Sequence, residues 1–336
     1  MKKITTIICT CLLSLSMNAQ DFHLSQFEEA PLYLNPALIG QGLREGMDYR
    51  VSNLYRSQWG SISTKPFSTS YLSYDTRFKN RWGLGINLIN NQAGAPTFRT
   101  FNLMLSGSYD IINDPLGEHV LTTGMQMGLM NKNFKAESLV FDQQYSSTTG
   151  EFDPSINNGE NLASTNTYRF DAGWGIYYRY RPSNQKYSPY IGFSLGHISF
   201  PNQRFLGEKE AMPIIWKVNI GSDVEINEKI EIRPSFLMMY QKKAQEYYLN
   251  VNGKYQLSNE DYDLRLLLGY RLKDAFVIGV GMRYKDFVGM ISYDFNTSYL
   301  SNYTNGKGGF EFGISYQGFY KNEKIKSIMK YNASFD

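Results

Sequence analysis

The chain has 336 residues, enough for one large domain or two ordinary ones, with a formal net charge of +3 and 15% aromatic residues. That balance lacks the basic excess of a nucleic-acid binder, and removing Lys2 and Lys3 lowers it further, to about +1. Both cysteines, Cys9 and Cys11, fall within an apolar leader, so a chain processed beyond it has no disulfide, thiolate metal site or cysteine nucleophile.

In chain order, Lys2-Lys3, an apolar stretch over 4–17 and Asn18-Ala19 predict a signal peptide over residues 1–19, cleaved near Ala19. The alternative is an N-terminal anchor. Neither cysteine sits in a lipoprotein box, because Ile8 and Thr10 stand where small residues are wanted. Residues 20–45 then break the pattern of everything downstream. The stretch "SQFEEAPLYLNPALIGQG" holds Pro31 and Pro36, which cannot donate to a strand ladder, while Phe27, Leu32, Tyr33 and Leu34 need apolar cover. A short turn-and-helix element is expected over 24–40, at the inner end or in the lumen of a barrel.

Residues 46–320 alternate with a period of two. Over 167–180 one phase holds Tyr168, Phe170, Ala172, Trp174, Ile176, Tyr178 and Tyr180, and the other holds Arg169, Asp171, Gly173, Gly175 and Arg179. The same division recurs over 214–226 (Trp216 against Lys217), 230–240, 262–271 (Leu266 against Arg265) and 276–284 (Ile278 against Gly279). Weaker versions appear near 48–59, 67–78, 81–90, 98–110, 119–130, 187–198, 246–257, 287–295 and 309–318, about 14 strands of roughly 10–13 residues. The fold class is all-β, a transmembrane antiparallel barrel of about 14 strands with a short non-strand N-terminal segment.

The alternation alone does not say which face is inside. Strand length suits an oblique bilayer crossing, aromatics stand at both ends of the apolar phase, and the other phase is rich in Gly, Asn and charge. Trp174, Trp216, Leu266 and Ile278 are therefore read as lipid-facing. A β-propeller is the soluble alternative, but it needs a repeat of about 40–50 residues that the chain lacks. Alternate connections are short (near 79–80, 113–118, 181–186, 227–228, 258–261 and 285–286). Two of the opposite set, 131–166 and 197–212, are long, so the short ones are assigned to the periplasm. Outer connections near 242–245 and 272–274 are short, which predicts a low stretch of outer rim. Residues 321–336 are expected to form a periplasmic tail.

Candidate sites are few. His23, His119 and His197 show no metal-ligand spacing, and His197 beside Ser194 and Ser199 has no supporting hydrolase motif. The acids Glu137, Asp142, Glu151, Asp153 and Glu160 do not follow a calcium-loop pattern. No catalytic residue, metal or cofactor is assigned. Phe141, Tyr145 and Phe152 in the first long loop, with Asn202, Gln203 and Phe205 in the second, form a candidate partner-binding surface. Lumen-phase glycines Gly173, Gly175, Gly221, Gly269, Gly279 and Gly281 either admit the N-terminal element close to the wall or relieve strain in a curved sheet.

The stretch "QDFHLSQFEEAPLYLNPALIG" directly after the leader, then "YRSQW" at 55–59, "HISFPNQRF" at 197–205, "LLGYR" at 267–271 and "SYDFNTSYL" at 292–300, resembles the PorP/SprF family. Its members are outer-membrane proteins of the type IX secretion and gliding machinery. The signature residues are Gln26, Phe27, Leu32, Tyr33, Asn35 and Pro36. The resemblance implies a non-enzymatic barrel that helps secrete or anchor a large surface protein bearing a type IX C-terminal signal. It would contact outer-membrane lipid, other type IX components and that cargo, with a periplasmic protein at the inner turns as a further candidate and no nucleic acid. Family members often end in a Cys-Pro-Arg-Phe-like tail, whereas this chain ends "KYNASFD". The alternative function is an outer-membrane transporter of small hydrophobic solutes. Such a transporter wants an open path, while an anchor can be filled; lumen-phase Tyr177, Tyr248 and Leu267 lean toward filled.

Overall fold

The computed structural model describes residues 22–321 apart from 45, 61–65, 79–80, 95–97, 115–117, 135–141, 147–148, 154, 157–165, 184, 203–210, 260 and 300. The expected signal peptide, and all but Lys321 of the expected tail, lie outside the described residues. The strands are β1 (Tyr49–Gln58), β2 (Phe67–Phe78), β3 (Trp82–Ala93), β4 (Phe98–Asn113), β5 (His119–Phe134), β6 (Asn166–Tyr180) and β7 (Tyr187–Gly196). They continue as β8 (Ile215–Asn227), β9 (Ile230–Gln241), β10 (Ala244–Gln256), β11 (Tyr262–Arg271), β12 (Ala275–Tyr284), β13 (Phe287–Asn296) and β14 (Lys307–Gly318). Each pairs antiparallel with its chain neighbours, and β14 returns to β1, so the barrel is closed. Closure pairs every edge, a condition that hydrocarbon imposes because it offers no alternative hydrogen-bond partner. The even strand number brings both chain ends to the same rim, where the Asp48 amide donates to the Gly318 carbonyl at 2.8 Å.

The outward face is apolar and exposed along the wall, as at Leu105, Met125, Leu266, Ile278 and Val280. Aromatic pairs ring both ends. Trp82–Tyr109, Tyr262–Tyr284 and Phe287–Tyr316 lie at the rim of short turns, with centroids 4.7–4.8 Å apart. Trp216–Tyr240 and Phe98–Phe134 lie at the other, at 4.9 and 5.5 Å. This placement matches the two headgroup levels of a bilayer. As expected, β9–β10 and β11–β12 are joined at the long-loop end by only 242–243 and 272–274.

Strands β3, β4 and β5 run past their expected ends, to Ala93, Asn113 and Phe134. Both faces of these extensions can meet water beyond the bilayer, so the apolar/polar code is not enforced there. Conversely, β1 and β7 stop early, because Trp59 (φ 60°) and His197 (φ 61°) adopt left-handed backbone that cannot extend a strand.

The lumen phase, rich in Gly, Asn and charge, also carries large apolar residues, as lumen-phase Tyr248 and Leu267 suggested. An apolar belt of Leu54, Tyr71, Ile89, Leu237, Tyr248, Leu267, Val277 and Met290 faces inward and encloses Leu24, Phe27, Ala30, Tyr33 and Leu34 in one core. The segment within comprises a 3-10 turn (Phe27–Glu29), helix α1 (Pro31–Leu34) and a second 3-10 turn (Pro36–Leu38). Pro31 and Pro36 each open a helical fragment, where a missing N–H costs nothing, and the Asn35 side chain accepts from the Ala37 amide at 2.8 Å. Fragments this short do not persist alone in water. The lumen supplies the packing that keeps them folded.

Candidate functional site

The filled lumen is the feature on which function must be built. The segment runs down the barrel: His23 and Ser25 lie near the long-loop end, and the chain reaches the short-turn rim by Arg44. Near the long-loop end, Glu311 of β14 accepts from the Ser25 and Gln26 amides at 2.9 and 2.8 Å. Asp294 of β13 accepts from the Ser25 hydroxyl at 2.8 Å. Two buried arginines brace both acids: Arg56 contacts Asp294 at 2.7 Å and Glu311 at 3.0 Å, and Arg271 contacts Asp294 at 3.1 Å. Arg56 and Arg271 also donate to Ser25 Oγ at 2.9 and 2.8 Å. His23 Nδ1 stands 3.2 Å from Glu246. Charges this deeply buried persist only when paired and hydrogen-bonded, so each strand contributes a partner.

At mid-barrel, α1 ends with carbonyls that its own helix leaves unpaired. Ser194 Oγ donates to the Leu34 carbonyl at 2.7 Å, and Lys217 Nζ donates to the Tyr33 carbonyl at 2.6 Å. Asn35 Nδ2 donates to the Ile176 and Phe193 carbonyls at 3.0 and 3.2 Å. Glycines make this approach geometrically possible. A Cβ on Gly175 would overlap Asn35 Oδ1, one on Gly124 would overlap the Pro36 carbonyl and one on Gly85 would stand 2.9 Å from Leu32 Cδ1. We therefore expect Gly124→Ala to destabilise the barrel by about 1–3 kcal/mol, because backbone rather than a flexible side chain must yield. Gly253→Ala, whose Cβ would meet nothing nearer than 3.9 Å, should leave it unchanged. Denaturant titration of the two purified variants checks this, and equal midpoints would contradict it.

Toward the short-turn end the Gly40 amide donates to Asp75 Oδ2 at 2.8 Å, and Asp75 is forked by Arg50. Gly40 and Gly42 turn the chain at φ 67° and 71°, values that favour glycine. Below the segment lies a cavity of about 780 Å³, floored by Glu28, Glu29 and Leu38 and walled by charged side chains. Asp223 receives both Arg179 and Arg233, and Asp263 receives both Arg265 and Arg283. At the rim, the Ser183 hydroxyl and amide donate to Glu118 at 2.7 and 3.1 Å and hold its carboxyl below the usual carboxylate range.

The signature residues Gln26, Phe27, Leu32, Tyr33, Asn35 and Pro36 all lie buried in this lumen segment. Among the six glycines singled out, Gly175 alone meets it. Gly173 faces Gln126, Gly221 the Tyr190 hydroxyl, Gly269 the Tyr248 ring, Gly279 Ser292 and Leu267, and Gly281 the β13 backbone. The other hosts are Gly83, Gly85, Gly124, Gly192 and Gly313. They were missed because most lie in the weakly alternating strands, where the lumen phase was hard to assign.

Trp174, Trp216, Leu266 and Ile278 lie on the outward face, and Trp174 Nε1 donates to Thr123 Oγ1 at 3.0 Å. Tyr145 and Phe152 are exposed and pair edge-to-face at 5.4 Å across a two-stranded ribbon. The Asn202 carbonyl accepts from Arg169 Nε at 3.0 Å. Phe141, Gln203 and Phe205 lie outside the described residues, as do Glu137 and Glu160. Asp153 accepts from the Ser155 hydroxyl and amide at 2.6 and 2.8 Å, which lowers its carboxyl's affinity for protons and commits it to the turn. His197 Nδ1 contacts Asp171 at 2.7 Å, but Ser194 is taken up by Leu34 and Ser199 Oγ points to Asp171 and the Phe170 carbonyl. These serines therefore do not form a nucleophile–histidine pair.

One stretch of wall is poorly laddered. Ser222 of β8 is opposite Pro189 of β7, and on its other side the register places it opposite Pro234 of β9. The β8–β9 ladder pairs Gly221 with Ser235 and next Val224 with Ile232, so the two rungs between are unformed. A proline in a central strand removes a donor, which accounts for the gap. Outside it lies an apolar groove of about 500 Å³ lined by Ile220, Pro234, Phe236, Leu249 and Val251.

The profile of a family described as type IX secretion system membrane protein PorP/SprF matches residues 16–316. No curated protein matches in sequence. Among solved structures, the toluene transporter TbuX of Ralstonia pickettii is 12% identical, with 87% of this chain and 94% of that one covered and a TM-score of 0.54. The monoaromatic hydrocarbon channel CymD is 12% identical, with 91% and 95% covered and a TM-score of 0.55. Likeness at this identity establishes a shared barrel fold and nothing about cargo.

Proposed function

The chain belongs to the PorP/SprF family of type IX secretion system membrane proteins, and from that premise we propose that it is a sealed accessory barrel that helps secrete or anchor a large surface protein bearing a type IX C-terminal signal. The observation that carries this reading is the lumen segment, which is fastened to the wall from Glu311 to Asp75. A conduit for solutes would need that space; a holder needs a rigid scaffold. In this reading residues 1–19 are removed on export, and the short-turn rim and the 321–336 tail face the periplasm. The long loops face outward, with Tyr145 and Phe152 among the residues offered to cargo. Deleting the gene and quantifying the surface proteome tests it. We expect one large surface protein with a type IX C-terminal signal to disappear from the cell surface. An unchanged surface proteome with impaired uptake of hydrophobic solutes would overturn the proposal.

The transporter reading is favoured by one feature, the unladdered seam at Ser222 with its apolar outer groove. Against it, the lumen side of the seam is occupied by the Arg179–Asp223–Arg233 cluster, and Glu28 of the segment lies 3.4 Å from Arg233. A hydrophobic solute would have to pass charged groups that have no apolar replacement partner.

A further inference from the structure

We propose that the cavity at the short-turn end is a docking site for an acidic polypeptide segment, entering from the rim that the reading above assigns to the periplasm. The chemistry of the site does not depend on whether the barrel handles surface cargo. Its volume, about 780 Å³, lies within the range of specific binding pockets, roughly 300–1,000 Å³.

The charges are layered, and the layering sets the sign of the surface a visitor meets. Asp75 and Asp263 are 0% exposed and Asp110 is 4%, whereas their cationic partners stand nearer the cavity. Arg77, which pairs with Asp110, is 38% exposed, Arg265, which pairs with Asp263, is 25%, and Lys254 is 39%. The lining itself carries nine arginine and lysine side chains against six carboxylates, so the cavity surface has a cationic excess. Stoichiometry adds to this. Asp223 serves two guanidiniums, Arg179 and Arg233, and a guanidinium has five donors in a fixed fork, so donor capacity is left over there. The buried Nε–H of Arg179 has no acceptor among the described residues. The carboxylates of the lining are already engaged: Glu28 by Arg233, Glu29 by Arg265, Asp223 by Arg179 and Arg233, Glu231 by Lys254, Asp263 by Arg265 and Arg283, and Asp286 by Arg44.

The arrangement selects a chain over a small anion. The cations come from β2 (Arg77), β6 (Arg179) and the three consecutive strands β9 (Arg233), β10 (Lys254) and β11 (Arg265). A phosphate-sized ion can bridge register partners such as Lys254 and Arg265, but it cannot also reach Arg77 and Arg179. A flexible backbone bearing carboxylates at intervals can reach several at once, and each charge-assisted contact adds to the others.

The test uses the full mature chain in detergent micelles and a fluorescent decapeptide of alternating Glu and Gly, read by anisotropy. We expect the Glu peptide to bind with an affinity that falls as salt rises, and the matching Lys peptide not to bind. Arg77→Gln with Lys254→Gln should weaken the Glu peptide by about tenfold. Heat-modifiable gel mobility reports whether that variant still forms the barrel. Should it fail to fold, Lys254→Gln alone, on a half-exposed side chain, carries the test with an expected loss of about threefold. Equal binding of the two peptides, unchanged affinity in a folded variant, or complete displacement by millimolar phosphate would each overturn the proposal, the last in favour of a small-anion site.

Discussion

Glu311→Ala is expected to unfasten the start of the lumen segment and to lower barrel stability by about 3–5 kcal/mol. The Glu311 carboxylate accepts from two backbone amides of the segment and from Arg56. Removing it strands the Ser25 and Gln26 amides in a buried site and leaves Arg56 with Asp294 as its remaining carboxylate. An unpaired buried donor costs about 1–3 kcal/mol, and a partly uncompensated buried charge costs more. Glu311→Gln should fall between, since the amide oxygen still accepts one of the two N–H groups but no longer neutralises Arg56. Denaturant unfolding of the three proteins, with limited proteolysis to report exposure of residues 24–40, measures both effects. Wild-type midpoints together with a protease-resistant segment in Glu311→Ala would show that the segment is held by apolar packing alone.

Ile278→Arg should cost about 2–4 kcal/mol of membrane-assembled stability, the penalty for a cation on the lipid face near mid-bilayer. Ile278 lies outward on β12 between Leu268 of β11 and Tyr293 of β13, with no acid beside it in either pairing. Its neighbour Gly279 faces the lumen, and alternation alone predicts that a small substitution there is tolerated. The structure removes that expectation: a Cβ there would stand 3.0 Å from Ser292 Cβ and 3.1 Å from Leu267 Cβ. Asn252→Ser is the better lumen-side control, since Asn252 lies in the inward phase of β10 and lines the roomy short-turn cavity. Comparing folded fractions of the two variants in lipid vesicles checks the face assignment, and equal yields would contradict it.

The wall was legible residue by residue. Each strand position reports its own solvent, and lipid outside against a crowded interior writes a period of two that needs no partner to be read. Ile278, Leu266 and Trp216 carry the apolar phase in the sequence, and in the structure they lie on the outward face. Where the strands leave the bilayer the two solvents become alike, and there the ends of β3, β4 and β5 blurred. The N-terminal element was also visible, because Pro31 and Pro36 exclude a ladder and Leu32 and Tyr33 demand cover.

What closure decided is which lumen groups meet. Ser25 finds Glu311 and Asp294 across 286 and 269 residues of chain, and no local pattern encodes a contact at that separation. Gly124 looked like any other strand glycine, and Gly175 was one of six lumen-phase candidates, until the register set them beneath Pro36 and Asn35. The cationic excess of the short-turn cavity likewise exists only because β2, β6 and the neighbouring β9–β11 turn arginines and a lysine to one enclosed volume. Alternation along a strand is set by the medium on each side of it, while complementarity across a lumen is set by geometry that only the closed ring supplies.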